Sequence, residues 1–367
     1  MDKGGESMNY KETFIWQEIN QTPSIIGTII EKNGQTMTQL VKAIKESGNT
    51  NFVAAARGSS NNAITYFKYL AEVLTNYTVG LSAPSILTLY RGKINYSNSI
   101  VLGCSQSGLA EDVLEVIKKG NEQGSITVAI TNNPDSPVAK TAKFHLDLNC
   151  GEVNSFVATK TFNAQLFTLL WLVTCLSGDK SSKMFIKHLQ KDIEQVLPAI
   201  DKITDKFASK YKDTETGFII SRGLTYPIAL EASLLFQETC YMQAKGYAGS
   251  EFYHGPLAVI NEKTPVMICC AKNDGDDEIQ TIIRADQIKC VEKVLSLKAP
   301  VLLVTNDCIL TGRFARCNDA FLNFNVPEEF SVFAFSLFVQ MLACKISCLK
   351  GYNPDQPRGK DKITITK

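Results

Sequence analysis

The sequence predicts an α/β protein of two tandem domains, each a parallel sheet flanked by helices, and three observations carry that prediction. An apolar strand running into Arg-Gly and then a helix occurs twice, ending at Arg57-Gly58 and at Arg222-Gly223, with the arginines 165 residues apart. The next apolar runs keep that offset, Ile100–Cys104 against Pro265–Cys269, while a third pair, ending Thr131-Asn132 and Thr305-Asn306, is offset by 174. Ordered agreement of this kind marks duplication of one supersecondary unit. The apolar runs are also continuous, not alternating, as in strands buried on both faces of a parallel sheet.

Taken in order, residues near 10–20 and 35–46 form amphipathic helices leading into the first strand. Strands near 51–56, 77–81, 99–104, 126–131 and 144–148 alternate with helices near 60–74, 109–122 and 160–177. Residues 181–211, with Ile186, Leu189, Ile193 and Leu197 at helical spacing, form a connector. Strands near 217–221, 265–270, 299–305 and 321–325 then repeat the scheme, with helices near 226–245, 276–294 and 329–349. Pro354 and Pro357 keep the tail from being a long helix. The expected organisation is a leader and helix at 1–34, a first domain at 35–180, a connector at 181–212, a second domain at 213–350 and a tail at 351–367.

At 367 residues the chain has room for two domains of roughly 150 residues. The net charge is +1 with no basic block, which indicates neither a nucleic-acid partner nor a membrane surface. The apolar windows 166–176 and 332–344 fall short of the ~18 to 20 residues a membrane span needs. The polar, acidic N-terminus shows no signal peptide, so a cytoplasmic location is expected. Eleven cysteines without a Cys-x-x-Cys pair, and only three histidines, read as reduced buried thiols and no metal site.

Two places suit chemistry. Ser105-Gln106-Ser107-Gly108 follows the strand at Ile100–Cys104 and opens a helix, where hydroxyls, an amide and backbone N–H groups meet an anion. Ser59 and Ser60 occupy the equivalent turn after the first strand. Neutral donors with no lysine suit a sugar phosphate better than a magnesium-bound nucleotide; the four residues alone would equally suit an N-cap and turn. The second copy has Cys270-Ala271-Lys272-Asn273 here and has lost the loop. Glu238 lies late in a helix, two turns after Glu231, and His254 stands in a loop before Gly255-Pro256. A carboxylate moves protons between adjacent sugar carbons, and a group titrating near neutrality opens a ring. His145 and His188 read as structural.

Together these residues resemble the SIS (sugar isomerase) double-domain family, which holds the isomerase half of glucosamine-6-phosphate synthase and stand-alone ketosamine-6-phosphate deglycases. The similarity runs from Glu18-Ile19-Asn20-Gln21 to Asp355-Gln356-Pro357-Arg358, and its specific blocks are Ser105–Gly108, Thr159-Lys160, the run from Arg222 to Glu231 and His254–Leu257. The resemblance implies two flavodoxin-like three-layer αβα SIS domains. It implies that Ser60, Ser105, Gln106 and Ser107 hold the phosphate, with Ser59 and Gly108 beside them, and that the backbone at Phe156, Val157 and Ala158 contacts the sugar. Glu238 becomes the base shuttling a proton between C1 and C2. His254 becomes the ring-opening histidine serving a neighbouring subunit's site, which implies a homodimer. Lys362, or Lys360 if the register shifts, becomes the tail lysine that engages the open-chain carbonyl.

Some positions depart from that pattern. Asp2 stands where a glutamine-hydrolysing domain exposes cysteine, so no glutaminase is expected. Leu109 and Ala110 replace an acidic residue and a threonine after the phosphate loop, and Arg57 replaces a cysteine, adding a cation near the site. The expected function is a phosphosugar isomerase-type enzyme acting as deglycase or deaminase on an amino-sugar or ketosamine 6-phosphate, with no metal or redox cofactor. The alternatives are a non-catalytic sugar-phosphate-binding regulator, and an aminotransferase-like subunit using ammonia from elsewhere.

Overall fold

The duplication is reproduced strand by strand in the computed structural model, which describes residues 8–274, 277–315 and 318–359. A 3-10 turn at Tyr10–Glu12, α1 (Phe14–Asn20) and α2 (Thr22–Ser47) precede the first sheet. The first half then runs β1 (Asn51–Ala55), α3 (Gly58–Leu74), β2 (Thr78–Leu81), α4 (Ser85–Thr88), β3 (Ile100–Cys104), α5 (Glu111–Glu122), β4 (Ile126–Thr131), α6 (Pro137–Thr141), β5 (Phe144–Asp147) and α7 (Lys160–Ser177). The connector α8 (Lys180–Tyr211) leads into β6 (Thr216–Ser221), α9 (Tyr226–Cys240), β7 (Gln243–Ala248), α10 (Gly249–Tyr253), β8 (Val266–Cys270) and α11 (Asp277–Ser296). The chain then continues through β9 (Val301–Thr305), α12 (Cys308–Arg313), β10 (Asn318–Phe321) and α13 (Glu328–Leu349).

Two units result. One holds Gln21–Val153 and Ala158–Gln190, the other residues 8–20, Asn154–Val157 and Lys191–Arg358. The first unit's sheet is wholly parallel in the order β2-β1-β3-β4-β5; the second's, also parallel, is β7-β6-β8-β9-β10, the same winding with each strand replaced by its duplicate. Both are doubly wound αβα sheets.

The core explains the continuous apolar runs. β3, β8 and β9 are buried at every residue because helices cover both faces. In the first unit Val113, Val116 and Ile117 of α5 pack on Val101 and Ala129; in the second, Val291 and Val294 of α11 pack on Ile268 and Leu303. The edge strand β5 is closed by Asn33 of α2, which donates to the Asp147 carbonyl at 2.8 Å and accepts from its N–H at 2.9 Å. A side chain thereby completes a ladder that no further strand extends.

The last strand sits at Asn318–Phe321, earlier than the expected 321–325, and the short helices α4, α6, α10 and α12 were not expected; three further differences bear on the fold. α2 starts at Thr22, with Pro23 in its first turn, and reaches Gly48 in the left-handed region, so it is far longer than 35–46. The helix expected at 226–245 ends at Cys240, and Gln243–Ala248 forms the unforeseen edge strand β7. Gln-Ala-Lys-Gly-Tyr-Ala carries no apolar run, because β7 pairs on one side only. Gly246 is required there: a Cβ would stand 2.3 Å from the Ala229 carbonyl oxygen of α9. Finally, the window 332–344 belongs to a helix of 22 residues, long and apolar enough to cross a membrane, but 94% of its apolar window is buried within the protein. It is a core helix.

Candidate active site

In a sheet of order 2-1-3-4-5 the ligand crevice lies beyond the carboxyl ends of β1 and β3, where the winding reverses. In the first unit the residues leaving those ends are Arg57-Gly58-Ser59-Ser60 and Ser105-Gln106-Ser107-Gly108. Ser60 is buried in the first turn of α3; its hydroxyl accepts from Gln165 Nε2 at 2.9 Å and bonds the Cys104 thiol. The two turns are thus joined side to side. Burial pushes that thiol up to about 12, so Cys104 acts as an inert hydrophobe.

The loop is a tight turn. Gly108 N–H donates to the Ser105 carbonyl at 3.1 Å and to its hydroxyl at 3.2 Å, and Leu109 N–H donates to the Ser107 hydroxyl at 3.2 Å. Both hydroxyls accept from the backbone, and a hydroxyl that accepts can still donate to an oxyanion. Among the described residues the N–H groups of Gln106 and Ser107 have no acceptor within bonding distance. Gly108 has φ +67°, and a Cβ there would lie 2.0 Å from Ser136 Oγ. Only glycine closes this turn.

Two expectations change here. The loop does not open directly into a helix: α5 begins at Glu111, its N-cap Ala110 offers no side-chain bond, and its first turn carries Glu111 and Asp112. Those carboxylates already complement the helix dipole, so the free donors at this strand end are those of the turn itself and not of the helix terminus. Nor is Arg57 a spare cation. Its Nε donates to Asp112 Oδ2 at 2.6 Å, and Asp112 is fully buried. The duplicate arginine behaves alike: Arg222 Nη1 meets Asp286 Oδ1 of α11 at 2.5 Å.

The remaining candidates belong mostly to the second unit. Glu238 is half-buried near the end of α9, whereas Glu231, two turns back, is 0% exposed. Tyr241, at φ 55°, terminates the helix three residues after Glu238. Its ring lies 4.8 Å from that of Tyr352; the Arg358 guanidinium stands 4.4 Å from Tyr241 and 5.3 Å from Tyr352, and Arg358 N–H donates to the Tyr241 hydroxyl at 3.1 Å. The tail is therefore pinned at the end of the Glu238 helix. Lys362 and Lys360 lie outside the described residues. His254 follows α10, with its N–H donating to the Glu251 carbonyl at 3.1 Å, and its side chain is exposed. His145 bonds Thr131 Oγ1 at 2.8 Å, and burial holds its pKa below the usual range.

Phe156 is half-buried and Val157 buried, both in the loop that joins the second unit; Ala158 begins the return to the first. Sequence reading missed what fixes that loop. Glu18 of α1 takes three hydrogen bonds from Asn154 and Ser155, and Asp355 of the tail accepts from the first N–H groups of α1, Phe14 at 2.7 Å and Ile15 at 3.1 Å. Nothing in the spacing of Glu18 marks a partner 137 residues on; the only signal was its place in the block Glu18-Ile19-Asn20-Gln21.

Fold and site define a class: duplicated doubly wound α/β proteins in which one copy keeps a donor-rich Ser-Gln-Ser-Gly turn at its switch point. The chain belongs to the SIS domain family, whose model matches residues 47–175 and 210–345. It is 26% identical over 358 residues to a glutamine–fructose-6-phosphate aminotransferase (isomerizing) of Sulfolobus acidocaldarius, covering 96% of this chain. The chain spans little more than half, 56%, of that relative's length. In structure it resembles the C-terminal domain of glucosamine-fructose-6-phosphate aminotransferase from Francisella tularensis, with TM-score 0.80 and 23% identity over 97% of this chain and 100% of that one. It also resembles glucosamine-6-phosphate deaminase from Thermotoga maritima, with TM-score 0.74 and 18% identity over 96% of this chain and 100% of that one. The fold is that of SIS-type phosphosugar isomerases.

Proposed function

We propose that this protein isomerises a 6-phosphorylated amino sugar or ketosamine between aldose and ketose forms and releases the amine by hydrolysis. The observation that carries the reading is the pairing, in one chain, of the Ser105–Gly108 turn at a switch point with Glu238 at a helix end whose cap pins the tail. The turn and Ser59-Ser60 take the phosphate, and the backbone of Phe156, Val157 and Ala158 meets the sugar. His254, exposed on its own chain, assists ring opening in the site of a second copy, so the working form is a homodimer. The tail lysine, Lys362 in the favoured register, engages or orients the open carbonyl. A lysine suits this if its pKa is drawn down from about 10.4 toward ~7 to 8.

With glucosamine 6-phosphate as example, Glu238 takes the C2 proton of the opened aldose and the electron pair forms the enolamine. Returning a proton to C1 gives the C2 imine of the ketose. Water adds to that carbon, and ammonia leaves as fructose 6-phosphate forms. A ketosamine runs the same exchange from C1 toward C2 and releases its amine from C1. A relative named for fructose 6-phosphate and a structural neighbour named for glucosamine 6-phosphate both point to a hexose 6-phosphate, with nitrogen gained in one name and lost in the other, which supports this substrate class.

The test is a panel of 6-phosphorylated amino sugars and fructosamines, with ammonia, free amine, and the ketose and aldose 6-phosphates followed together. Stoichiometric release of amine and sugar phosphate from one member is expected. Binding of the panel with no turnover of any member would assign a regulatory ligand binder instead.

A further inference from the structure

One carboxylate holds the loop that precedes Ala158. Glu18, near the end of α1, is 3% exposed. Its Oε1 accepts from the N–H of Asn154 at 2.6 Å and of Ser155 at 2.9 Å, and its Oε2 accepts from the Ser155 hydroxyl at 2.5 Å. The same hydroxyl lies 2.9 Å from the Val157 carbonyl oxygen, so the bonds converge on the backbone that bears Phe156 and Val157. The strut is fixed at both ends, since Asp355 accepts from Phe14 and Ile15 at the start of α1.

Burying a carboxylate costs several kcal/mol before its bonds return anything, so three convergent charged hydrogen bonds define the backbone path far more tightly than a solvated turn. We propose that Glu18 is a positioning residue that sets the sugar-contacting backbone at Phe156 and Val157. The inference rests on the proposed function, in which this backbone meets the sugar and the Ser105–Gly108 turn meets the phosphate. Glu18 touches no substrate; it acts through Asn154 and Ser155. Selectivity for the sugar, and not the grip on phosphate, is what depends on it.

The two grips are separable by calorimetry on the whole protein with two probes, inorganic phosphate and glucosamine 6-phosphate. Glu18→Gln replaces one acceptor by an NH2 group facing donors. It is expected to weaken glucosamine 6-phosphate about 10- to 100-fold while phosphate affinity stays within about twofold. Ser155→Ala removes the hydroxyl that stands between Glu18 Oε2 and the Val157 carbonyl oxygen while keeping the backbone N–H bond to Glu18, and moves sugar affinity the same way by a few-fold. Equal losses for both probes, or sugar affinity unchanged in both variants, overturn the inference and leave the proposed function standing. Wild-type protein that binds phosphate but no sugar 6-phosphate overturns both.

Discussion

Arg57 Nε donates to Asp112 Oδ2 at 2.6 Å, and the carboxylate it meets is completely buried. Asp112 lies in the first turn of α5, close in sequence to the Ser105–Gly108 turn, where an unneutralised carboxylate would repel any anion. Arg57 cancels that charge. Among the described residues Arg57→Met leaves Asp112 with the Val113 N–H bond at 2.8 Å, and about 2 kcal/mol of stability should be lost, moderated because the arginine is half exposed. Urea unfolding measures the loss, and weaker phosphate binding accompanies it. An unchanged midpoint would remove the pair from the account of the fold.

Gly108→Ala should abolish phosphate binding and cost about 2 to 3 kcal/mol, because it adds a left-handed strain to a clash with Ser136. Adding Ser136→Gly clears the clash and leaves the strain, so the double variant recovers part of the stability. Calorimetry with inorganic phosphate and thermal melts read both effects.

Glu238→Gln should lower turnover about 10²- to 10⁴-fold with little change in substrate affinity, the signature of a lost proton carrier. Mixed with His254→Ala protein, it should regain activity in hybrid dimers, where one site combines both intact groups. Verified hybrids without recovery would place His254 outside the neighbouring site.

Arg358→Ala removes the cation held over Tyr241 and Tyr352. Turnover should fall about tenfold, in parallel with Lys362→Ala, while phosphate affinity stays constant; such contacts are worth about 0.5 to 2 kcal/mol. Faster proteolytic trimming of the tail is the companion readout.

Glu328, at the start of α13, has its carboxyl pushed up from 4.5 to about 7, by burial first and by Glu329 and Asp274 after it, against a hydrogen bond from Asn273. A carboxyl with the higher pKa in the folded state binds more protons folded than unfolded between those values. Stability therefore falls as pH rises from 4.5 through 7, by at most about 3 kcal/mol from this group. Glu328→Gln should flatten that slope and stabilise the protein more at pH 8 than at pH 5. Chemical unfolding at the two pH values decides it.

Much of the fold could be read from the chain because its signals are local. Continuous apolar runs ending in Arg-Gly announced parallel strands, and the copied order of Asn51–Ala55 and Ile100–Cys104 in Thr216–Ser221 and Val266–Cys270 announced a second sheet. β7 was invisible because a one-sided edge strand needs no apolar run, and the close approach of α9 that demands Gly246 comes from residues 17 positions away. The Ser105–Gly108 turn was legible as a donor-rich loop. That its helix end is already occupied by Glu111 and Asp112 was not.

By itself, then, the sequence determined the class of fold and the duplication, since these follow from periodicity and the order of apolar runs. Tertiary structure alone decided what each charge does. Arg57 reads as an available cation until Asp112 is found 55 residues on, and no local signal places Glu18 against Asn154 and Ser155. The reason is physical: the energy of a charge depends on its distance to a partner and on its burial, and neither quantity exists until remote segments pack.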